Sequence, residues 1–387
     1  MVRTARLDPT MRAWRHDFHR HPELGFDLPW TSARVAELLE SFGLEVHRDI
    51  GGCGVVGVLQ KGNGTRSIGI RADMDALPIT EQTGLDHASQ IAGQMHACGH
   101  DGHMTMALGA AKLLAEGGDF SGRAVFVFQP NEEHGEGAAA MIADGLFERF
   151  GIDEIYGAHN IPGLPVGQFA TRAGPITASE ALFEIEVSAR GGHAALPHMG
   201  VDAITVGAQI VGALQTIVSR KLDPAQNGVV SVTDFTTDGR RNVLPGHATL
   251  SGDARALTPD TNAAIEAAMR QLVDGVCAAH GVRATVSYET IFPPTINAPG
   301  PVAEAVATAD DLGISIDGAC APKLFSEDFA HMAARVPGCF VLMGNGTDGG
   351  HARPLHSSDY QFNDAALAPG AAFWARLVER RLTTGGV

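Results

Sequence analysis

Cys98-Gly99-His100-Asp101, Glu132-Glu133 and His159 bring a thiol, two imidazoles and adjacent carboxylates into one stretch of the chain. These are the donor types that a divalent transition metal takes. A thiolate favours a borderline-soft ion such as zinc. The Cys-x-His spacing lets two side chains face one centre from a single loop, and Gly99 gives the backbone the freedom to turn there. Such a site needs one carboxylate of the Glu132-Glu133 pair as a ligand, and the other is placed to move protons. The chemistry this predicts is hydrolysis by a metal-activated water. A further histidine should close the site from the C-terminal side. His351 and His356 in GNGTDGGHARPLHSSDYQFND both qualify on spacing.

The elements that must position these residues read as alternating helix and strand. Residues 54–59, 67–72, 123–128 and 152–158 are short apolar runs, the pattern of buried strands. Residues 31–42 carry helical periodicity through Val35, Leu38, Leu39 and Phe42, and 102–114 through positions 104, 107, 108, 111 and 114. Glu132-Glu133 then falls just after 123–128, beside Pro130, Gly135 and Gly137. His159 falls just after 152–158, and Cys98 and His100 lie in the loop that opens 102–114. Open α/β sheets hold ligands in the crevice at the carboxyl ends of their strands, so the candidates converge.

The pattern changes in the middle of the chain. Strand 182–189, helix 201–219, strands 229–235 and 248–256, helix 260–280 and strand 283–290 make a small two-layer unit. Gly174-Pro175 and Phe292-Pro293-Pro294 stand near its ends as hinges. Afterwards 339–343 reads as a buried strand and 364–382 as a helix. The expected fold is α/β. A domain with a central mixed sheet, 1–176 and 293–387, is interrupted by a smaller two-layer α+β satellite domain, 177–292.

With 387 residues the chain is too long for one compact core. Its net charge of −16 argues against a nucleic-acid or anionic-membrane partner, either of which needs a basic face. The five cysteines are odd in number and widely spaced, which fits a reducing compartment rather than a disulfide framework. No secretory h-region and no membrane span is readable, so the expected location is cytoplasmic.

Nine motifs in order carry a resemblance. They are HRHPELGF (19–26), IRADMDALPI (70–79), MHACGHDGH (95–103), FQPNEEHGEGA (128–138), AHNIPGLPVG (158–167), RGGHAALPHMGVDAI (190–204), NVLPG (242–246), SEDFAHM (326–332) and LHSSDYQFND (355–364). Through them the chain resembles the metal-dependent amidohydrolases that include hippurate hydrolases, N-acyl-amino-acid aminoacylases and indole-acetyl-amino-acid hydrolases. The resemblance implies a catalytic domain split by a satellite that often dimerises, giving a homodimer or a dimer of dimers. It implies two divalent metals per subunit, zinc or manganese first and cobalt or nickel as further options. Their ligands would be Cys98, His100, Glu133, His159 and His356, so the resemblance selects His356 over His351. Glu132 would be the general base. His193 would stabilise the oxyanion, in its own or a neighbouring subunit's site. Asn242 and Arg255 match substrate-contact positions, with a strand-end salt bridge as the alternative for Arg255. The implied substrate is a small N-acyl amino acid, cleaved to carboxylic acid and amino acid. The runner-up is a dipeptidase or carboxypeptidase of the same family.

Some positions depart from the commoner pattern: Asn131 and His134 beside the glutamates, Asp253, and Ser358. They bear on substrate preference more than on chemistry. Asp73 and Asp101 are candidates for carboxylates that orient ligands, with a surface position the alternative for both and the plainer expectation for Asp101. His16, His47, His87, His134, His247, His280 and His331 default to surface or structural roles. Two other classes compete. Thiol catalysis by Cys98 with His100 or His103 as base leaves the glutamates and His159 without a role. A non-catalytic metal-binding scaffold would not need both Glu132 and Glu133.

Overall fold

The computed structural model describes residues 2–383. The chain forms two compact units. One comprises Met1–Ile176, Ile296–Ala321 and Asp328–Val387; the other comprises Thr177–Thr295 with Pro322–Glu327. No change of composition marks that last short piece. It belongs to the second unit because Phe325 O accepts the amide of Ala178 and Ser326 Oγ accepts Arg255 Nη1.

The first unit is built on a mixed sheet that has eight strands among the described residues. Their order is Glu45–Ile50, Gly54–Lys61, Gly122–Gln129, Ser67–Asp73, Glu154–Pro162, Gly338–Gly346, Gln168–Ala170 and Ser315–Asp317. The run from Gly122–Gln129 through Ser67–Asp73 and Glu154–Pro162 to Gly338–Gly346 is parallel, and antiparallel pairs flank it. All residues of Ser67–Asp73 and Gly338–Gly346 are buried. A strand covered on both faces needs continuous apolar sequence, which is why these runs read so clearly. Helices Val2–Arg20, His100–Gly117 and Leu367–Arg381 pack together through Met11, Phe18, Leu108, Phe373 and Trp374.

Register then places the chemistry. Asp73 pairs with Gln129, and Arg71 lies level with both Val127 and Gly157. The parallel strands therefore end at one edge; the segments holding Asp75 and Glu132 leave from it, and His159 lies among the later pairs of its own strand. The sequence placed His159 just beyond its strand, but that strand runs on to Pro162. Its pairing with Gly338–Gly346 carries it past the apolar stretch.

The second unit has a four-stranded antiparallel sheet, in the order Gly228–Thr237, His247–Ala256, Ser179–Ser188, Arg283–Phe292. Helices Ala203–Thr216 and Pro259–His280 cover one face through Ile210, Leu214, Ile265 and Met269. Asp202 caps the first helix and Thr258 the second, each side chain accepting a backbone amide. No helix among the described residues is long and apolar enough to cross a membrane.

Candidate metal centre

Cys98 and His100 sit where the helix His100–Gly117 begins, separated by Gly99 at φ +97°. A side chain at Gly99 would run into Asn160 Oδ1 and the Tyr360 hydroxyl. Only glycine serves there, for its backbone and for the space it leaves. His100 Nδ1 bonds the carbonyl of Asp75 at 2.8 Å. A carbonyl only accepts, so Nδ1 carries a proton and Nε2 is the nitrogen turned toward the centre. His159 repeats the device, with its Nδ1 2.8 Å from the carbonyl of Asn160. His356 is held at φ +65°, with its amide donating to Ala97 O at 2.9 Å.

Asp75 was absent from the sequence-based candidates, although Asp-Met-Asp directly after a strand was a usable signal. Its carboxylate accepts the amides of Glu132 at 2.9 Å and Glu133 at 3.1 Å, fixing the loop that follows Gly122–Gln129. One residue thus orients His100 with its carbonyl and both glutamates with its side chain.

The five expected ligands come together. Cys98 Sγ lies 3.2 Å from His159 Nε2 and 3.3 Å from His356 Nε2. Glu133 reaches His356 Nε2 at 3.4 Å and His100 Nε2 at 3.8 Å. Metal bonds of about 2.0–2.3 Å around a tetrahedral ion put donor atoms roughly 3.3–3.8 Å apart, which is this spacing. The donors form two groups that share the thiol: Cys98 with His100 and His159, and Cys98 with Glu133 and His356. His100 Nε2 and Glu133 Oε1 are buried with no hydrogen-bond partner. Two buried polar atoms that face each other at 3.8 Å without a hydrogen bond are what a cation between them would satisfy. The residues present therefore fit divalent metal. His351 lies apart from these groups, with Nδ1 3.3 Å from Gln361 O.

The electrostatics agree. Burial pushes the Cys98 thiol well above its usual range, and Glu133, Glu132 and Asp73 add to the effect. Burial likewise raises the Glu133 carboxyl, to about 7. For His100 burial works the other way, but Asp73, Asp75 and Glu133 outweigh it and lift the ring to about 10. Burial, with His103 beside it, holds His159 well below the ordinary imidazole value. The protein alone thus gathers acidic groups and a thiol around protons. A divalent cation held by these donors would supply the positive charge instead and would favour the thiolate over the thiol.

Asp101 corrects the sequence-based expectation of a surface position. It is fully buried, 3.0 Å from Arg15 Nη1 and 2.8 Å from His19 Nδ1. Both partners come from the first helix, more than eighty positions away, where no local pattern could announce them. Asp73 accepts from Arg71 and His103 at 2.7 Å each. Of the default histidines, His16 and His87 stack with centroids 3.7 Å apart beside Arg15.

The unusual positions have local explanations. Asn131 adopts φ +50°, which asparagine tolerates, and its side chain bonds His134 and Glu136. Ser358 offers its carbonyl to the amide of Gln82. In the second unit, exposed His193 and Asn242 share a small ribbon in which Val243 pairs with His193 and the amide of Ala194 donates to Asn242 O. Arg255 bonds both carboxylate oxygens of Asp253, together with Glu180 and Ser326. That is the salt-bridge alternative, with Asp253 as one partner.

Comparison with known proteins agrees with this geometry. Residues 69–380 match the model of peptidase family M20/M25/M40, and the chain belongs to that family. It is an amidohydrolase of the metal-dependent group within it. The hippurate hydrolase of Campylobacter jejuni is 40% identical over 374 residues, with 95% of each chain covered. The thermostable carboxypeptidase 1 of Saccharolobus solfataricus is 35% identical, covering 94% of this chain and 93% of its own. A Bacillus subtilis structure described as a dinuclear metal binding peptidase of the M20 family superposes with a TM-score of 0.86. It is 30% identical and covers 98% of this chain and 99% of its own.

Proposed function

We propose that this enzyme hydrolyses the amide bond of N-acyl amino acids, with acetyl, benzoyl or related acyl groups, releasing a carboxylic acid and an amino acid. The observation that carries the proposal is the thiol of Cys98 flanked by His159 and His356, so that one sulfur serves two groups of donors. Cys98, His100, Glu133, His159 and His356 would hold two divalent ions, zinc or manganese first, with cobalt or nickel also suited to these donors. Bound there, such ions supply Lewis acidity toward the amide carbonyl and make water a nucleophile near neutral pH.

The residues of the chain do the rest. Glu132 takes the proton of the attacking water and delivers it to the leaving nitrogen. Asp75 keeps Glu132 and Glu133 at the strand edge through their amides. By the family resemblance His193 would stabilise the oxyanion of the tetrahedral intermediate, in its own or a neighbouring subunit's site, and Asn242 would contact the substrate. For Arg255 the bonds to Asp253 and Glu180 favour a structural task over substrate contact. The enzyme works on small molecules as a dimer through the satellite unit, expected from the sequence at 177–292 and formed in the fold by Thr177–Thr295 with Pro322–Glu327, while the larger unit, expected at 1–176 and 293–387, is the catalytic domain.

Carboxypeptidase action is a second reading, favoured by the Saccharolobus relative. One assay separates the two. Purified enzyme is offered N-acetyl, N-benzoyl and longer N-acyl amino acids beside free dipeptides, with added metal, after chelation, and after metal is restored. Faster turnover of the acyl amino acids, lost to chelator and recovered with metal, is the expected result. Preference for dipeptides would replace the substrate assignment, and indifference to chelation would remove the metal centre.

A further inference from the structure

His356 is the least secured of the five donors. Its side chain is 51% exposed, while His100 is fully buried and Cys98 and His159 are nearly so. It lies in a turn closed locally by Ser357 N to Pro354 O and Tyr360 N to Ser357 O. Its own backbone sits at a positive φ, which a non-glycine residue holds only when its surroundings impose it. Four residues on, the chain plunges into the interior. Tyr360 is fully buried, and its hydroxyl accepts a hydrogen bond from Asn160 Nδ2. Asn160 directly follows His159 and is itself fully buried. Its carbonyl orients the His159 ring, and its Oδ1 lies 2.8 Å from His103 Nε2, whose other nitrogen is 2.7 Å from Asp73. Cys98 is tied to the same spot, because Gly99 packs against both Asn160 Oδ1 and the Tyr360 hydroxyl.

We propose that Asn160 and Tyr360 form a buried positioning pair. It locks the His356 turn to the His159 strand and so sets the separation of the two donor groups that share Cys98. The proposal rests on the metal-centre reading above. Both residues are fully buried. The backbone of His356 is already tied to the Cys98 loop through its amide bond to Ala97 O. The buried polar bond adds a second tie, from the His159 strand to the far end of the same turn. Partners behind a metal ligand commonly change affinity by about 10–100-fold when removed.

Tyr360→Phe tests this with little disturbance, because the ring stays and only the hydroxyl leaves. Chelator-stripped protein is titrated with zinc against a chromophoric chelator, and metal content is measured after dialysis. The expected result is one ion bound as in the wild type and the other weakened about 10–100-fold. kcat should recover at high zinc, since the chemistry is untouched. A lower Tm with both affinities unchanged would make the pair merely structural and overturn the proposal. Asn160→Leu added to Tyr360→Phe removes the other half of the pair and with it the side-chain bond to His103 Nε2. The same ion should stay weak, and full recovery of affinity would also overturn the proposal. The outcomes separate from the parent reading: wild-type protein that binds no zinc sinks the metal centre, whereas two tight ions in both wild type and variant sink only the pair.

Discussion

Along Ser179–Ser188 in the second unit, residues on one face are buried and those on the other face solvent, whereas every residue of Ser67–Asp73 in the first unit is enclosed. The consequences reach the chemistry. A half-covered sheet needs only apolar side chains inward, and the second unit's core is built from residues such as Phe183, Ile185, Ile210, Leu250 and Met269. A sheet covered on both faces has no outward side, so any polar residue in its strands must find partners in the interior. Arg71 does so through Asp73 at 2.7 Å, Asp328 at 2.8 Å and Gln129 at 2.8 Å. The first unit can therefore keep charged groups in fixed positions away from water, which is what a metal centre requires of its surroundings.

The sharpest way to test this contrast is Glu132→Gln, which removes a charge and leaves the shape. Turnover should fall by roughly 10²–10⁴-fold, the usual share of a general base, while metal content and Tm hold. Steady-state kinetics beside elemental analysis would show it. Activity within tenfold of the wild type would take the base assignment away from Glu132.

Next comes a matched pair of core substitutions. Arg71→Met leaves Asp73 and Asp328 buried without their cation and should cost about 3–5 kcal/mol. Ile210→Ala only opens a cavity in an apolar core, at about 2–5 kcal/mol. The costs overlap, but the effects on metal should not. The arginine variant should bind metal more weakly under native conditions, because Asp73 steadies His103 behind the ligands, and the isoleucine variant should bind it as before. Denaturant titration with metal analysis separates them. Equal metal affinity in both would mean that the polar interior of the first unit is unconnected to its site.

The same contrast explains what the sequence revealed. Strands such as Gly122–Gln129 and Ser67–Asp73 were legible because enclosure forces an unbroken apolar run. The alternating strands of the second unit were legible by their period of two. The helix Val2–Arg20 was missed, although Leu7, Met11, Trp14 and Phe18 mark a buried stripe along it; charged residues and Pro9 dilute the pattern. Helix Pro299–Leu312 was missed because its buried side is made of small residues such as Ala305 and Ala309. At the site, the proposed ligands were readable as donor types in order. Choosing His356 over His351 took the family resemblance. The supports were not readable: Arg15 for Asp101, Asn160 for Tyr360 and Asp75 for the glutamate amides are partnerships between distant segments, which only the folded chain brings together.

The smallest effect belongs to a charge cluster in the first unit that lies nearer to water. Glu154 opens the strand that leads to His159 and accepts from Arg66, Arg381 and the Tyr156 hydroxyl, linking the last turn of the C-terminal helix to the sheet. Burial alone would raise its carboxyl, but the bond from Arg381 and the other partners prevail and hold it below the usual carboxylate value. A folded pKa below the unfolded one, about 4.3, means that the stabilisation is present above that value and is lost as pH falls through the folded pKa. Glu154→Gln should therefore cost about 1 kcal/mol near pH 7, since a partly solvated cluster is screened. The gap between variant and wild type should shrink as pH falls toward 3. Urea midpoints at several pH values would measure it. A gap that widened on acidification would reverse the sign argued here, and a cost as large as that of Arg71→Met would mean that Glu154 is as isolated from water as the interior pair.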